Sequence, residues 1–104
     1  MRRPSRLPQP MDPKEFYILL ALSYEPMHGY AIQRQIELDS RSALHFYPAS
    51  FYRILERLHV RGLIEVARQH SPVTYSLTER GRRTLKFEAD GWRDAGRLAQ
   101  QRLP

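Results

Sequence analysis

Residues 47–75 read YPASFYRILERLHVRGLIEVARQHSPVTY, and their hydrophobic pattern changes once along the segment. The first half repeats apolar residues at i, i+3, i+4 and i+7, namely Phe51, Ile54, Leu55 and Leu58. This spacing is typical of a helix with one buried side, because those positions share a sector about 100° wide. Gly62 suits the left-handed conformation at which many helices end. The segment therefore predicts an amphipathic helix that stops near this glycine.

Two short runs rich in strand-forming residues follow. They contain Ile64, Val66, Val73, Tyr75 and Leu77. Pro72 and the polar residues before it favour a turn between the runs. A helix followed by a hairpin is the order found in a winged helix, where a β-ribbon is attached to a helix-turn-helix. We therefore predict a mainly α fold with a small β-hairpin (α+β). A hairpin whose polar face only meets water is the alternative.

The charge balance favours a polyanionic partner. The 104 residues include 17 Lys and Arg against 11 Asp and Glu, a formal net charge of +6, and almost all of the cations are arginine. Arginine binds phosphates and the major-groove edge of guanine with a forked geometry. The chain has no cysteine, which excludes disulfides, thiolate zinc sites and cysteine nucleophiles. No cofactor and no metal site are expected.

Hydropathy gives no indication of a membrane or of secretion. No stretch approaches the roughly 18 apolar residues of a membrane-spanning helix, and the first residues lack the apolar core of a secretory signal. We therefore expect one soluble, cytoplasmic unit without a membrane partner.

Three parts are expected along the chain. Residues 1–11 combine three prolines with three arginines, which predicts a disordered basic arm. Residues 12–78 are expected to form the winged helix-turn-helix, and residues 79–104 a C-terminal dimerisation helix.

Two helices should precede the segment quoted above. Asp12 and Glu15 have the spacing of a capping box, so that a first helix should run over residues 13 to about 24. A second should run over residues 29 to about 38 and provide the first helix of the helix-turn-helix. The first helix is apolar nearly all round, which requires burial on more than one side.

The last helix has the spacing of a coiled-coil seam. It should begin after Thr78 as N-cap and run to about Arg102. Apolar or small residues are spaced alternately by four and three: Leu85, Ala89, Trp92, Gly96, Ala99 and Leu103. With the surplus apolar surface at Phe16 and Leu20, this seam predicts a twofold homodimer. The alternative is one long helix that folds back on its own domain.

Five segments, in the same order, resemble the PadR family of transcriptional regulators. They are Ile18–Leu22, Glu25–Tyr30, Pro48–Leu58, Gly62–Ile64 and Tyr75–Gly81. The resemblance is to the short form, with one C-terminal dimerisation helix, and it implies a homodimer that represses transcription from a palindromic operator. Two positions depart from the family pattern. Tyr47 stands where a small hydroxyl cap is frequent, and Ala49 where glycine is frequent. Tyr47 therefore leaves open whether the helix is capped differently or a phosphate is bound there.

The candidate contacts to double-stranded DNA lie on three elements. They are Tyr30, Arg34, Tyr47, Ser50, Tyr52, Arg53, Arg57, Arg68 and His70. Arg53, in the middle of the exposed helix face, is the candidate for reading guanine, and Arg57 for anchoring the backbone. Arg68 and His70 at the tip of the hairpin suit phosphate contacts. For each arginine, a solvated surface charge is the alternative.

Trp92, the only tryptophan, is a candidate ligand-binding residue in the middle of the seam. The resemblance implies that a planar aromatic effector could bind between paired tryptophans and release the DNA. The alternative is that Trp92 only fills the dimer core.

No catalytic motif is present, so the chain is not expected to be an enzyme. The competing function is a winged-helix module that binds protein or RNA without operator specificity.

Overall fold

The computed structural model describes residues 11–104 of the chain. Its elements are α1 (Pro13–Leu22), β1 (Met27–His28), α2 (Gly29–Asp39), α3 (Pro48–Val60), β2 (Ile64–Ala67), β3 (Thr74–Leu77) and α4 (Glu79–Arg102). The basic arm was expected at residues 1–11, and residues 1–10 lie outside the described residues. Met11, which we had assigned to that arm, is buried in the core.

The helices begin where the capping residues predict. Asp12 and Glu15 form the complete capping box of α1 around a proline in the first turn. Thr78 caps α4 through its hydroxyl, which accepts the N–H of Gly81. α1 ends earlier than the expected Tyr24, because the backbone and hydroxyl of Ser23 both donate back to the last turn.

The sheet has one strand more than the sequence predicted. β3 pairs antiparallel with β2 in the expected hairpin and also with β1, so the strand order is β1-β3-β2. Met27 lies opposite Tyr75, and His28 lies opposite Thr74. The added strand attaches the wing to the residues that immediately precede α2. The small β-hairpin of the prediction is therefore part of a three-stranded sheet.

One core joins the helices and the sheet. The predicted inner stripe of α3 is buried throughout, as are the two inward isoleucines of α2, Ile32 and Ile36. Leu44 and Phe46, in the connection between α2 and α3, are partly buried against this core. Burial of the stripe requires the opposite side of α3 to face outward, which determines the surface described below.

The end of α3 and the start of α4 are joined at one point. Gly62 has a φ of +77°, the left-handed conformation predicted for it. The hydroxyl of Thr78 donates to the carbonyl oxygen of Gly62 at 2.7 Å. The backbone N–H of Thr78 donates to the carbonyl oxygen of Leu63 at 3.1 Å. The two ends of the wing are therefore close together in space, although they are far apart in the sequence.

α4 is covered by its own protomer only in its first half. Gly81 and Leu85 are buried, and the helix packs against α1. Residues 91–104 are all exposed. The helix therefore folds back on its own domain at one end, and beyond the partial cover of Trp92 by Phe16 its other end is exposed. Within residues 11–104, no helix is both long and apolar enough to span a bilayer.

Candidate nucleic-acid interface

The outer face of α3 is polar and accessible. Tyr52, Arg53 and Glu56 are exposed there, opposite the buried stripe. Within residues 11–104, Arg53 takes part in no ion pair, whereas Arg34, Arg57 and Arg68 each have an acidic partner. Its guanidinium is therefore available to an external acceptor without the loss of an internal one.

The N-terminal end of α3 is open. Tyr47 is the N-cap residue, but its side chain makes no capping hydrogen bond and is 82% exposed. Pro48 occupies the first turn and has no N–H to satisfy. Ser50 is half-buried on the same turn. The positive end of the helix dipole therefore faces solvent without a side-chain acceptor from Tyr47. Within residues 11–104, the Tyr47 hydroxyl makes no hydrogen bond.

Arg57 has a partner that the sequence analysis missed. Its Nε and Nη2 donate to the same carboxylate oxygen of Glu15, at 3.2 and 3.1 Å. Glu15 is 5% exposed, whereas the Arg57 side chain is 49% exposed. No local pattern marks this pair, because its members are 42 residues apart. The predicted contact of Arg57 with DNA stays a prediction, and the ion pair gives this side chain a second role.

The start of α2 lies beside α3. Tyr30 and Arg34 are exposed on α2, and Arg34 pairs with Glu37 one turn later, at 3.0 Å. A Cβ placed on Gly29 would lie 2.7 Å from the hydroxyl oxygen of Tyr52. Glycine at this position thus allows the Tyr52 ring to lie over the first turn of α2. Tyr52 of α3 therefore lies beside Gly29, the residue that precedes Tyr30 in α2.

His28 caps α2. Its Nδ1 accepts the N–H of Ala31 at 3.3 Å. This contact satisfies one of the N–H groups in the first turn of α2 that have no partner within the helix. No group of three or more potential metal ligands occurs in the part of the chain that the structure describes.

An ion pair connects the wing to the outer face of α3. Arg68 lies 3.7 Å from Glu56, with both side chains mostly exposed, and His70 is exposed beside it. A cavity of about 140 Å³ lies between the two elements, lined by Tyr52, Leu55, Glu56, Val66, Arg68 and Tyr75. Burial, followed by the nearby Tyr52 phenol, raises the pKa of Tyr75. Its phenol therefore stays protonated as a possible donor at the base of the wing. The exposed ion pair is worth little, so a phosphate could replace Glu56 as the partner of Arg68.

Several tyrosines lie on the surface of the protein. Tyr24, Tyr30, Tyr47 and Tyr52 are exposed. The last three lie on or beside the two helices of the helix-turn-helix. The surface therefore combines arginine with aromatic hydroxyls.

The residues predicted for the dimer interface fall into two groups. Phe16 and Leu20 of α1 and Leu85 and Ala89 of α4 lie in the protomer, buried or partly buried. The Trp92 ring lies against Phe16 of the same chain, with ring centroids 5.5 Å apart and an interplanar angle of 34°, and it is 48% exposed. The remaining seam residues, Gly96, Ala99 and Leu103, are exposed. The seam is therefore one stripe that runs from the protomer core to an uncovered end.

A helix-turn-helix followed by a hairpin wing, with a cationic and unobstructed second helix, defines a winged-helix protein of the DNA-binding class. Comparison with known families refines this class. Residues 18–87 match the transcriptional regulator PadR-like family. The chain therefore belongs to the PadR-like family of transcriptional regulators.

Solved structures share the fold. A transcriptional regulator from Clostridium thermocellum superposes with a TM-score of 0.72 at 18% identity, over 86% of this chain and 92% of that one. A PadR family transcription regulator from Clostridium difficile gives a TM-score of 0.71 at 23% identity, over 85% of this chain and 95% of that one. ZitR from Lactococcus lactis, whose structure is a complex with DNA, gives a TM-score of 0.66 at 20% identity, over 95% and 64% of the two chains.

A curated relative extends beyond this chain. An uncharacterized 37.1 kDa protein in transposon TN4556 of Streptomyces fradiae is 38% identical over 95 residues, which is 86% of this chain. The match covers 26% of that protein, so this chain spans about a quarter of its relative's length.

Proposed function

We propose that the chain is a homodimeric repressor that binds a palindromic operator in double-stranded DNA. The observation that carries this proposal is Arg53, which is exposed on the outer face of α3 and has no ion-pair partner within residues 11–104. Arginine in this setting can bind the O6 and N7 atoms of guanine in the major groove. The open N-terminal end of the helix supports the proposal, since helix termini with free N–H groups suit phosphate oxygens.

Selection of bound duplexes from a random DNA pool tests both the partner and the symmetry of the site. A twofold dimer should select two half-sites whose centres are ~10 base pairs apart, or a multiple of that distance. Binding should weaken steeply with salt, because each neutralised phosphate releases counterions. Recovery of sequences without any common half-site would refute operator specificity.

Two arginine variants separate base reading from backbone contact. Arg53→Ala should cost ~1–3 kcal/mol and relax the preference at one base position in each half-site. Arg68→Ala should instead weaken all sequences alike and reduce the salt slope by roughly one phosphate. An equal loss on every sequence with both variants would contradict the assignment of Arg53.

The second copy is proposed to cover the C-terminal half of α4. Ala99 is an exposed seam residue, and Gln101 is an exposed residue away from the seam. A carboxylate at position 99 would be placed in the interface, where an unpaired charge is costly. Ala99→Glu should therefore give monomers in sedimentation experiments at micromolar concentration, while Gln101→Glu stays dimeric. A wild-type chain that is monomeric with and without DNA would refute the homodimer.

Release by a planar aromatic effector is proposed at Trp92. About half of this side chain is exposed although Phe16 covers part of it, so one more aromatic ring can stack there, a contact worth ~0.5–1.5 kcal/mol beyond burial. Planar aromatic cations should quench Trp92 fluorescence and lower the affinity for the operator. If neither quantity changes across a panel of such compounds, Trp92 belongs to the dimer core alone.

An RNA-binding module is the second candidate, and the exposed tyrosines favour it. Tyr30, Tyr47 and Tyr52 offer rings on which unpaired bases could stack. Competition of duplex DNA with single-stranded RNA distinguishes the two functions. An operator-binding protein should retain its duplex in excess RNA, whereas a stacking module should exchange it.

A further inference from the structure

Glu15 is the only charged residue that is buried within residues 11–104. Both of its carboxylate oxygens are used. Oε1 accepts the backbone N–H of Asp12 at 3.2 Å. Oε2 accepts Nε and Nη2 of Arg57 at 3.2 and 3.1 Å, and Nη1 of Arg61 lies 3.8 Å from it. A carboxylate from α1 thus faces two guanidinium groups near the C-terminal end of α3.

Because Glu15 is buried, its contact with Arg57 restricts the movement of α3 relative to α1. A carboxylate removed from water is strongly unfavourable unless cations and hydrogen bonds compensate it. Any movement of the C-terminal end of α3 away from α1 would leave Glu15 buried without Arg57. α3, the helix proposed to read the DNA, is therefore held at its C-terminal end, remote from its open start at Tyr47.

The next residue of α1, Phe16, contacts a different helix, α4. Phe16 lies against Trp92 of α4, with ring centroids 5.5 Å apart. Consecutive residues of one helix thus contact the recognition helix and the proposed dimerisation helix. This turn of α1 therefore links α3 to α4, in addition to the junction between Gly62 and Thr78.

We propose that Glu15 is a positioning residue for DNA recognition and that Arg57 acts through it rather than by contact with a phosphate. The proposal rests on operator binding by a dimer, as proposed above. In such a dimer, the distance between the two recognition helices depends on how each α3 is attached to α4. The Glu15–Arg57 pair therefore contributes to the half-site spacing that the dimer accepts.

The first test compares salt dependence. A lost phosphate contact would lower the slope of log affinity against log salt by about 0.9. Arg57→Ala is expected to weaken operator binding about tenfold, in the range typical of coupling between sites, without a change of slope. Arg61 stays close to Glu15, and the Arg57 side chain is half-exposed, so this variant is expected to fold. A slope lowered by about one phosphate would overturn the proposal.

The second test uses Glu15→Gln, which removes a negative charge. On electrostatic grounds alone, such a change should strengthen DNA binding. The positioning role requires the opposite, a loss of about tenfold on the preferred operator, together with a weaker preference over operators that have one base pair inserted between the half-sites. Glu79→Gln is the matched control, because it removes the same charge from an exposed pair with Arg83, and the spacing preference should not change.

Both variants are compared at a temperature where circular dichroism shows them folded. Tighter binding by Glu15→Gln with unchanged spacing preference would mean that the freed Arg57 reaches a phosphate, which overturns the proposal. If the wild-type chain binds no duplex, the proposed function is wrong and the positioning role is wrong with it. A normal wild type with a lowered salt slope in Arg57→Ala refutes the positioning role only.

Discussion

The two halves of α4 differ although they belong to one helix with one pattern. The segment 79–90 packs against α1 and β3, and Leu85 is part of the core, whereas Phe87 is exposed. In residues 91–102 every side chain is exposed, including Leu98. A heptad pattern therefore marks the side of a helix that is to be covered without saying which molecule covers it. The protomer covers most of the first half, and a second copy is proposed to cover the second half.

The largest difference between the halves is expected for leucine truncation. Leu85→Ala should lower the free energy of unfolding by about 2–5 kcal/mol, because it removes buried methyl groups and leaves a cavity. Leu98→Ala, in the exposed half, should change it by no more than about 0.5 kcal/mol. Urea titration at low protein concentration measures both. Similar losses for the two variants would show that the halves are equally covered.

Glycine substitutions give a second contrast on the same helix. A Cβ on Gly81 would collide with the carbonyl oxygen of Leu63 and would lie 2.8 Å from a methyl group of Leu77. Gly81→Ala should therefore destabilise the protein by about 1–3 kcal/mol. At Gly91 a Cβ would meet nothing within 4 Å, so Gly91→Ala serves as the control and should not destabilise. A stable Gly81→Ala protein would contradict the close approach of α4 to the end of α3.

Gly96 tests the uncovered half directly. A Cβ at Gly96 meets nothing within 4 Å in the protomer, and alanine favours a helix by up to about 1 kcal/mol over glycine. Gly96→Ala should therefore raise the unfolding free energy by at most that amount at concentrations where the chain is monomeric. If two copies of α4 approach closely at this glycine, sedimentation should show weaker self-association. An unchanged dimer would place Gly96 outside the closest contact.

The smallest effect is expected for the surface charges. Arg83 lies 3.8 Å from Glu79, and both side chains are mostly exposed. Arg83→Ala should change the unfolding free energy by less than about 0.5 kcal/mol, because exposed pairs contribute little. Thermal denaturation at low and high salt is a sufficient measurement. A larger change would indicate that Arg83 has a partner beyond its own helix turn.

The predictable parts of the fold are those whose evidence is local. The buried stripe of α3, the capping box at Asp12 and the left-handed Gly62 each follow from residues within a few positions of one another. β1 was missed because two residues, Met27 and His28, are too short to show a period. Its pairing with β3 depends on tertiary packing.

The candidate site also contains features that local sequence predicts and features that depend on tertiary packing. Exposure of Tyr52 and Arg53 followed from the helical period, since the stripe opposite them is buried. The partner of Arg57 did not follow, because Glu15 already had a complete explanation as a capping residue and the pair spans 42 residues. Whether Arg53 or Arg68 contacts DNA stays a prediction, since no local pattern distinguishes a base contact from a solvated charge.

The junction between Gly62 and Thr78 has a consequence for how this protein can vary. Because the hydroxyl and N–H of Thr78 fasten the start of α4 to the end of α3, the chain between them departs from and returns to a fixed point. The tip of that excursion, residues 68–73, lies beyond the paired strands. The length and composition of this tip can therefore change without moving α3 or α4. Recombination or engineering could therefore lengthen or shorten the wing while the arrangement of the helices stays the same.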